Sequence, residues 1–313
     1  MSQRWQGKRV GVLMGGVSKE REISLRTGRA MSAALQRRGY HVVEIDVTLN
    51  LVEQLRATPI DVAVIALHGK YGEDGTIQGL LEFQRIPYAG TGVCGSAVAM
   101  DKILCKRIAR DLEIPVAMDL VFHANADSVE QLLTRLSFEL PVVVKPVREG
   151  STIGLAIVRA LDALPSALQL AAGSDEKILI EEYIAGKEVT VGILCGQVLP
   201  TIEIAPKHGF YDYTAKYTKG MTDYILPARI PAETTALLGD WTARLWRELE
   251  CRGWARADYI VRDDGSAVLL ELNTIPGMTE TSLVPKAAAY LGIAFDEVCE
   301  RILNDAGLRM GGM

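Results

Sequence analysis

Residues 256–273, RADYIVRDDGSAVLLELN, concentrate side chains that could act together. Asp264-Gly265 is a strong two-residue hairpin signal. With that turn, Asp263 pairs with Ser266, Asp258 lies opposite Glu271, and Arg256 lies opposite Asn273. Alternation along the strands then predicts one apolar face of Ala257, Tyr259, Val261, Val268, Leu270 and Leu272. The other face is apolar near the turn, through Ile260 and Leu269, and charged at its far end. Two carboxylates directly opposite each other repel, and a cation between them removes the repulsion. Asp258, Glu271 and the amide oxygen of Asn273 form an oxygen set that suits Mg²⁺, whose remaining ligands are usually waters and substrate phosphates. The alternative is a solvated strand end on which Arg256 pairs with Asp258.

Other candidates sit on loops beside strands. Lys145 ends an apolar strand, and the small-residue loop 148–154 after it could bring backbone N–H groups close to phosphates. The chain contains no GxxxxGK[ST], and an ordinary β-turn explains the same residues. Gly15-Gly16-Val17-Ser18 lies between a strand and a helix, where an anion can bind. Without a GxGxxG fingerprint a dinucleotide is unsupported. Glu20 could serve chemistry or only favour the helix dipole. His68 opens the loop 68–76 beyond the third strand, on the side where open α/β sheets carry their sites, yet a lone loop histidine is also a common structural residue. Lys102 starts a helix and reads equally as a surface charge. Glu181 and Glu188 flank a strand and a bend, where either could simply be solvated. Trp241, Trp246 and Trp254 read as core.

The elements that must position these groups fall into two styles. Strands at 9–14, 41–46 and 61–67 alternate with helices, the first carrying Ile23, Ala30, Met31, Ala34 and Leu35 at helical spacing and stopping at Gly39. That pattern predicts a mostly parallel, doubly wound sheet. From Asp101 the pattern becomes α+β with antiparallel pairs. It predicts a helix at 101–112, strands at 141–145 and 156–159, a helix at 161–172, and a strand at 177–184. A hairpin through Gly196 joins strands 188–195 and 198–205. Residues 206–224 read as one long functional loop. A long helix follows Pro231 with Leu237, Leu238, Trp241, Leu245 and Leu249 on one stripe, and two short helices close the chain.

Composition narrows the function classes. The 313 residues carry 34 basic and 39 acidic side chains, a net charge of −5, which argues against a generic nucleic-acid binder. The longest uncharged run, 86–100, is 15 residues and glycine-rich, too short to span a membrane. No secretory leader is evident at the N-terminus. Five scattered cysteines without a CxxC pair read as reduced thiols of a cytoplasmic protein. The four scattered histidines leave oxygen ligands and a hard cation as the plausible metal chemistry.

Five ordered segments, GGVSKEREISL (15–25), ALHGKYGEDGTIQG (66–79), MDK (100–102), KPVREGSTIG (145–154) and LELNTIPGMTETSLVP (270–285), together with YDYTAKY (211–217) and RADY (256–259), resemble the D-alanine–D-alanine ligase family of the ATP-grasp superfamily. The likeness runs through nearly the whole chain. It implies an N-terminal Rossmann-like parallel sheet over 1–100 that binds substrate. A two-lobed ATP-grasp fold would follow, with a central lobe at 101–186 and a C-terminal lobe at 187–313 bearing the mobile loop 206–224. It implies ATP-dependent joining of two D-alanines for peptidoglycan precursor, through an acylphosphate and a tetrahedral intermediate, with release of ADP and phosphate. ATP and two Mg²⁺ ions, replaceable by Mn²⁺, are the implied cofactors, and a cytoplasmic homodimer is the implied state.

Residue roles carried over by this resemblance follow the motifs. Asp258, Glu271 and Asn273 match the metal ligands. Lys102, Lys145 and Lys216 match the phosphate lysines, with Glu149, Gly150 and Ser151 in the loop that folds over the phosphates. Glu181, Glu182 and Ile184 match the adenine segment, and Glu188 the ribose carboxylate. Glu20 matches the group that holds the first substrate's ammonium, linked to Ser151 and Tyr217, with His68 beside that substrate. Arg256 and the Gly277 N–H match the oxyanion donors, and Ser282 and Leu283 the site of the second carboxylate. Tyr217, where depsipeptide-forming relatives tend to carry Phe, implies a dipeptide product. Thr152 and Arg21 depart from the residues common in relatives, Ser and His, and remove no group the chemistry needs.

Three competing readings remain. A related ligase could take D-lactate or D-serine second. A nicotinamide oxidoreductase built on the first sheet would lack its fingerprint and leave 256–273 unexplained. A nucleotide-binding module without turnover would bind ATP and release no phosphate in response to D-alanine.

Overall fold

The computed structural model describes residues 4–207 and 220–310. β1 (Arg9–Gly15), β2 (His41–Val47), β3 (Val62–Ile65) and β4 (Tyr88–Ala89) form a parallel sheet in the order β2-β1-β3-β4. α1 (Arg21–Arg37), α2 (Leu51–Ala57), α3 (Thr76–Phe83) and α4 (Val93–Met100) alternate with them. Val10, Val12, Leu13 and the whole of β3 are buried, the continuous apolar run of strands covered on both faces. α1 buries Ile23, Thr27, Met31, Ala34 and Leu35 along one stripe, and the chain leaves it through Gly39 at φ +83°. The doubly wound expectation holds for this part.

α5 (Lys102–Asp111) leads into a second sheet, antiparallel throughout. Its elements are β5 (Asp119–His123), α6 (Val129–Arg135), β6 (Val142–Pro146), β7 (Ala156–Val158), α7 (Leu164–Ala172) and β8 (Lys177–Glu182), and its strand order is β5-β8-β6-β7. The helix expected from Leu161 begins as a 3₁₀ turn and becomes α-helical only at Leu164. β8 stops at Glu182, two residues before the expected end: the Tyr183 N–H still donates in register to Pro141 O, but proline has no N–H to return the bond.

The third sheet takes β9 (Lys187–Leu194), β10 (Gln197–Val198), β11 (Ile202–Pro206), β12 (Thr222–Ile225), β13 (Trp254–Val261) and β14 (Ala267–Asn273). The order is β12-β11-β9-β13-β14, with β10 paired to β9. α8 (Ala232–Glu248), between β12 and β13, buries Leu238, Trp241 and Leu245, but Leu237 is exposed because it falls beyond the edge of that stripe. The interval 206–224 is not all loop, since Pro206 pairs with Thr222 at the end of the β11–β12 ladder. Lys216 and Tyr217 lie outside the described residues. α9 (Leu283–Tyr290) and α10 (Phe295–Asn304) close the chain. They pack back on the first sheet, so that Val298, Ile302 and Leu303 share one core with Leu13, Leu35 and Ile65. Among the described residues no helix is long and apolar enough to cross a membrane, and the five cysteines are free thiols.

The β13–β14 hairpin departs from the expected turn yet keeps the expected opposition. Arg262 N donates to Ser266 O at 2.7 Å and Gly265, at φ +82°, donates to Arg262 O at 3.0 Å, which makes a three-residue turn. Near the turn the pairs are therefore Val261↔Ala267, Ile260↔Val268 and Tyr259↔Leu269. A bulge at Leu270 restores the register, and Asp258 faces Glu271 and Arg256 faces Asn273. The core face is Ala257, Tyr259, Val261, Ala267, Leu269 and Leu272 rather than the set with Val268 and Leu270.

Candidate active site

A cleft of about 250 Å³ opens beyond the carboxyl ends of β1 and β3. It gathers residues from all three sheets: Glu20 and His68 from the first, Lys102, Glu149, Gly150 and Ser151 from the second, and Arg256, Glu271, Asn273, Gly277, Ser282 and Leu283 from the third. Twelve of the anticipated positions thus converge although they span nearly the whole chain.

Glu20 precedes α1 and is buried. One of its oxygens accepts from the Ser151 hydroxyl across a sequence separation of 131, and the other, Oε2, has no hydrogen-bond partner among the described residues. Burial pushes the Glu20 carboxyl above its ordinary value, the nearby Glu73 adds to this, and His68 opposes it. Ser151 and Thr152 both sit at positive φ, +52° and +63°, a conformation that costs energy for non-glycine residues. The strain curls the 150–154 loop toward Glu20. His68 is fully enclosed, with Nε2 at 3.0 Å from Thr27 Oγ1 and Nδ1 at 3.8 Å from Glu73 Oε1. Burial alone would lower the imidazole, but Glu73, helped by Glu20, holds it above its usual value. Glu73, whose other oxygen accepts from the Gly69 N–H at 2.6 Å, escaped the sequence reading because an acidic loop residue looks like any solvated one.

The far end of the hairpin is a dense charge cluster. Arg256 donates from Nε to Asp258 Oδ1 at 2.9 Å and from a terminal nitrogen to Oδ2 at 2.8 Å. Thr190 on β9, the strand paired with Asp258, donates its hydroxyl to Oδ1 at 2.6 Å. Asp258 lies buried beneath Arg256 and does not itself line the cleft. Glu271 is 3.3 Å from Lys102 Nζ, which also donates to Glu149 O at 2.7 Å. The Asn273 amide oxygen accepts from Ile275 N at 2.9 Å, which orients it. No cluster of three or more His, Cys, Asp or Glu side chains suited to a metal occurs among the described residues. Two carboxylates on paired strands and an adjacent amide oxygen nevertheless fit a hard divalent cation that takes its other ligands from water and phosphate. Asp258 Oδ1 already accepts two hydrogen bonds, but Oδ2 accepts one, from Arg256, and keeps a lone pair for a cation. The pairing of Arg256 with Asp258 and the metal donor set therefore coexist.

A second group lies off the cleft. Lys145 Nζ is 2.5 Å from Glu181 Oε2, and Glu181 Oε1 takes a second lysine, Lys106. Glu182 accepts from the Met118 N–H at 2.9 Å, so its carboxylate braces β5 against β8. Ile184 follows the end of β8, and Glu188 on β9 shares a sheet face with Thr190 and Asp258. Ser282 is the residue before α9; its hydroxyl accepts from Thr279 N at 3.0 Å and it, like Gly277 and Leu283, faces the cleft beside the helix N-terminus.

Comparison with known proteins points the same way. Residues 50–91 match the family profile described as D-ala D-ala ligase N-terminus, and residues 108–304 match D-ala D-ala ligase C-terminus. A D-alanine–D-alanine ligase of Syntrophotalea carbinolica is 49% identical across 98% of this chain and 99% of its own. That of Geobacter sulfurreducens is 46% identical across 97% and 96%. The crystal structure of a D-alanine–D-alanine ligase from Bacillus anthracis complexed with ATP superposes with a TM-score of 0.82 at 37% identity, covering 95% of this chain and 97% of that one. VanG D-Ala:D-Ser ligase from Enterococcus faecalis superposes with a TM-score of 0.83 at 28% identity, covering 95% and 98%. A profile match over most of the length, near-half identity from end to end, and a cleft assembled from the shared motifs together mean that this chain belongs to the D-alanine–D-alanine ligase family.

Proposed function

We propose that this chain joins two D-alanines to D-alanyl-D-alanine at the expense of ATP, supplying peptidoglycan precursor in the cytoplasm as a homodimer, with the three sheets as its three domains (1–100, 101–186, 187–313). The observation that carries the reading is one cleft in which the half-satisfied Glu20 carboxylate faces the charged end of the β13–β14 hairpin. A buried carboxylate oxygen without a donor favours a cation, and the ammonium of the first D-alanine supplies it. His68, whose imidazole Glu73 and Glu20 hold above its usual value against burial, lies beside that substrate.

The first D-alanine's carboxylate attacks the γ-phosphate of ATP and displaces ADP; the second D-alanine's amine then attacks the acylphosphate carbonyl carbon, and the tetrahedral intermediate loses the ammonium proton and expels phosphate. Both steps build negative charge on oxygens, so fixed cations and N–H donors lower both barriers. Lys102, Lys145, Lys216 and the loop of Glu149, Gly150 and Ser151 hold the phosphates. Glu181, Glu182 and Ile184 line the adenine, and Glu188 takes the ribose. Arg256 and the Gly277 N–H receive the tetrahedral oxyanion. Ser282 and Leu283, at the start of α9, seat the second substrate's carboxylate. Asp258, Glu271 and Asn273 would hold divalent cations, two Mg²⁺ or Mn²⁺, which when bound neutralise phosphate charge. Ser151 fastens the loop to Glu20, and Tyr217 completes that latch and favours an amine over a hydroxyl acceptor.

The test is phosphate release from ATP and Mg²⁺ by the purified protein with D-alanine, L-alanine, D-alanine plus D-lactate, D-alanine plus D-serine, or no addition. Release that requires D-alanine and yields D-alanyl-D-alanine is the expected result. Faster release with a mixed product would assign a different second substrate, and ATP binding without release would leave a nucleotide-binding module.

A further inference from the structure

Lys106 is absent from every role assigned above, yet it is one of the most enclosed side chains in the protein. It projects from α5 and is 1% exposed. Its ammonium lies between two carboxylates, touching Glu181 Oε1 and standing 3.2 Å from Asp119 Oδ1. Those carboxylates are direct cross-strand partners, since Asp119 on β5 pairs with Glu181 on β8. Two acids so placed repel, and a buried cation between them is the protein's own answer to that repulsion. On the other side of β8, Glu181 pairs with Val143, and Lys145, two residues along the same face of β6, reaches the second oxygen of Glu181 at 2.5 Å. Arg110, the next turn of α5, closes the outer end on Asp119. The result is one alternating line, Arg110–Asp119–Lys106–Glu181–Lys145. Its charges sum to one surplus positive unit, with a cation at each end, Arg110 on the outside and Lys145 toward the strand end of β6.

We propose that Lys106 is a positioning residue for ATP, which fixes the Glu181 carboxylate through one oxygen so that the other holds the Lys145 ammonium on the nucleotide phosphates. The inference rests on the reading of Lys145 as a phosphate ligand. Without Lys106, Glu181 would be free to turn and to bind Lys145 with both oxygens, pulling its charge inward. With Lys106 in place, only one oxygen is available, and Lys145 keeps hydrogen-bonding capacity for a second anion; a lysine ammonium has three donors. The charge states support the geometry. Burial alone would raise the Glu181 carboxyl, but Lys145 and Lys106 hold it down at about 2. Burial lowers the Lys106 ammonium to about 8, against the pull of Glu181. Both groups are therefore charged near neutral pH. A hydrogen bond between charged partners is roughly twice as strong as a neutral one, enough to fix a rotamer that would otherwise wander.

The test is a kinetic cycle on the intact enzyme with Lys106→Met, Lys145→Met and the double variant, each checked for a cooperative melt. Lys106→Met is expected to raise the KM for ATP about tenfold while the KM for D-alanine stays within about twofold. In the Lys145→Met background the same change should add nothing to the KM for ATP, because its effect passes through Lys145. Should Lys106→Met fail to fold through its unpaired buried acids, Lys106→Met/Asp119→Asn retains the charge balance and carries the same criteria. A folded variant with an unchanged KM for ATP, an equal rise for ATP and D-alanine, or additive effects in the cycle would overturn the inference. If Lys145→Met alone leaves the KM for ATP unaltered, the phosphate role of Lys145 fails and the inference falls with it.

Discussion

At the residue scale, the hairpin cluster shows how the carboxylate proposed as a metal ligand is held in place. Asp258 is buried and receives donors from Arg256 and Thr190 before any ion arrives. Thr190 was invisible in the sequence because its role depends on β9 lying beside β13, a pairing between strands more than sixty residues apart. Thr190→Val keeps the shape and removes the 2.6 Å bond to Oδ1 together with a longer 3.3 Å contact to Ala257 O. The expected outcome is a rise in the Mg²⁺ concentration needed for half-maximal turnover of roughly tenfold, the worth of one hydrogen bond to a charged group. The melting temperature should move by only a few degrees. A metal titration of turnover checks the first and thermal unfolding the second. Unchanged metal dependence would assign Thr190 to packing alone.

At the element scale, α5 carries two of the lysines on which the proposed nucleotide site depends. It presents Lys102 to the cleft and Lys106, one turn later, to Glu181. Asp101 starts it by accepting from the N–H groups of Ile103 and Leu104, both at 3.1 Å. A helix without such a cap frays first where Lys102 stands. Asp101→Ala should cost about 1 kcal/mol of stability, and it should also raise the KM for ATP, since Lys102, the proposed phosphate lysine, sits in the loosened turn. Equilibrium unfolding and initial-rate kinetics separate the two effects, and an unaltered KM would show that tertiary contacts hold Lys102 without the cap. The boundaries of α5 were legible because the cap, the amphipathic spacing and the Ile114-Pro115 stop agree. The hairpin was legible for a less direct reason. The three-residue turn displaces the register by one and the bulge at Leu270 displaces it back, so a two-residue turn without a bulge predicts the same opposition of Asp258 and Glu271.

At the scale of the whole molecule, the site exists only when the first and second sheets are held together. Lys70, from the loop after β3, donates to Ser174 O at 3.0 Å and lies 3.2 Å from Glu149. Lys19 donates to Ser174 Oγ at 2.9 Å, and Ser151 completes the contact on Glu20. These bonds join loops of the first and second sheets, and Lys70 is half exposed, so its pair contributes little to stability. Lys70→Met should leave the stability within about 1 kcal/mol and raise the KM for D-alanine about threefold or more, as expected if a latch of roughly one salt-bridge increment is lost. Kinetics and denaturant unfolding on the same preparation check this, and an unchanged KM would mean that the Glu20–Ser151 and Lys19–Ser174 contacts suffice to hold the loops together.

The amino-acid sequence by itself determined the chemistry and its order along the chain: hard oxygen donors on one hairpin, lysines at a strand end and a helix start, an acid before the first helix, and alternating elements that fold into a parallel sheet. These are local properties, set by residue type, period and turn signals within about twenty residues. Tertiary structure decided what depends on distant partners. It put Ser151 on Glu20, laid Thr190 beside Asp258, and returned α10 to the core of the first sheet. It also buried Lys106 between Asp119 and Glu181. A lone lysine on an amphipathic helix reads as solvated, because burying its charge is unfavourable unless counter-charges are in place. Those counter-charges come from two other strands, so only the assembled sheet could reveal that this lysine points inward.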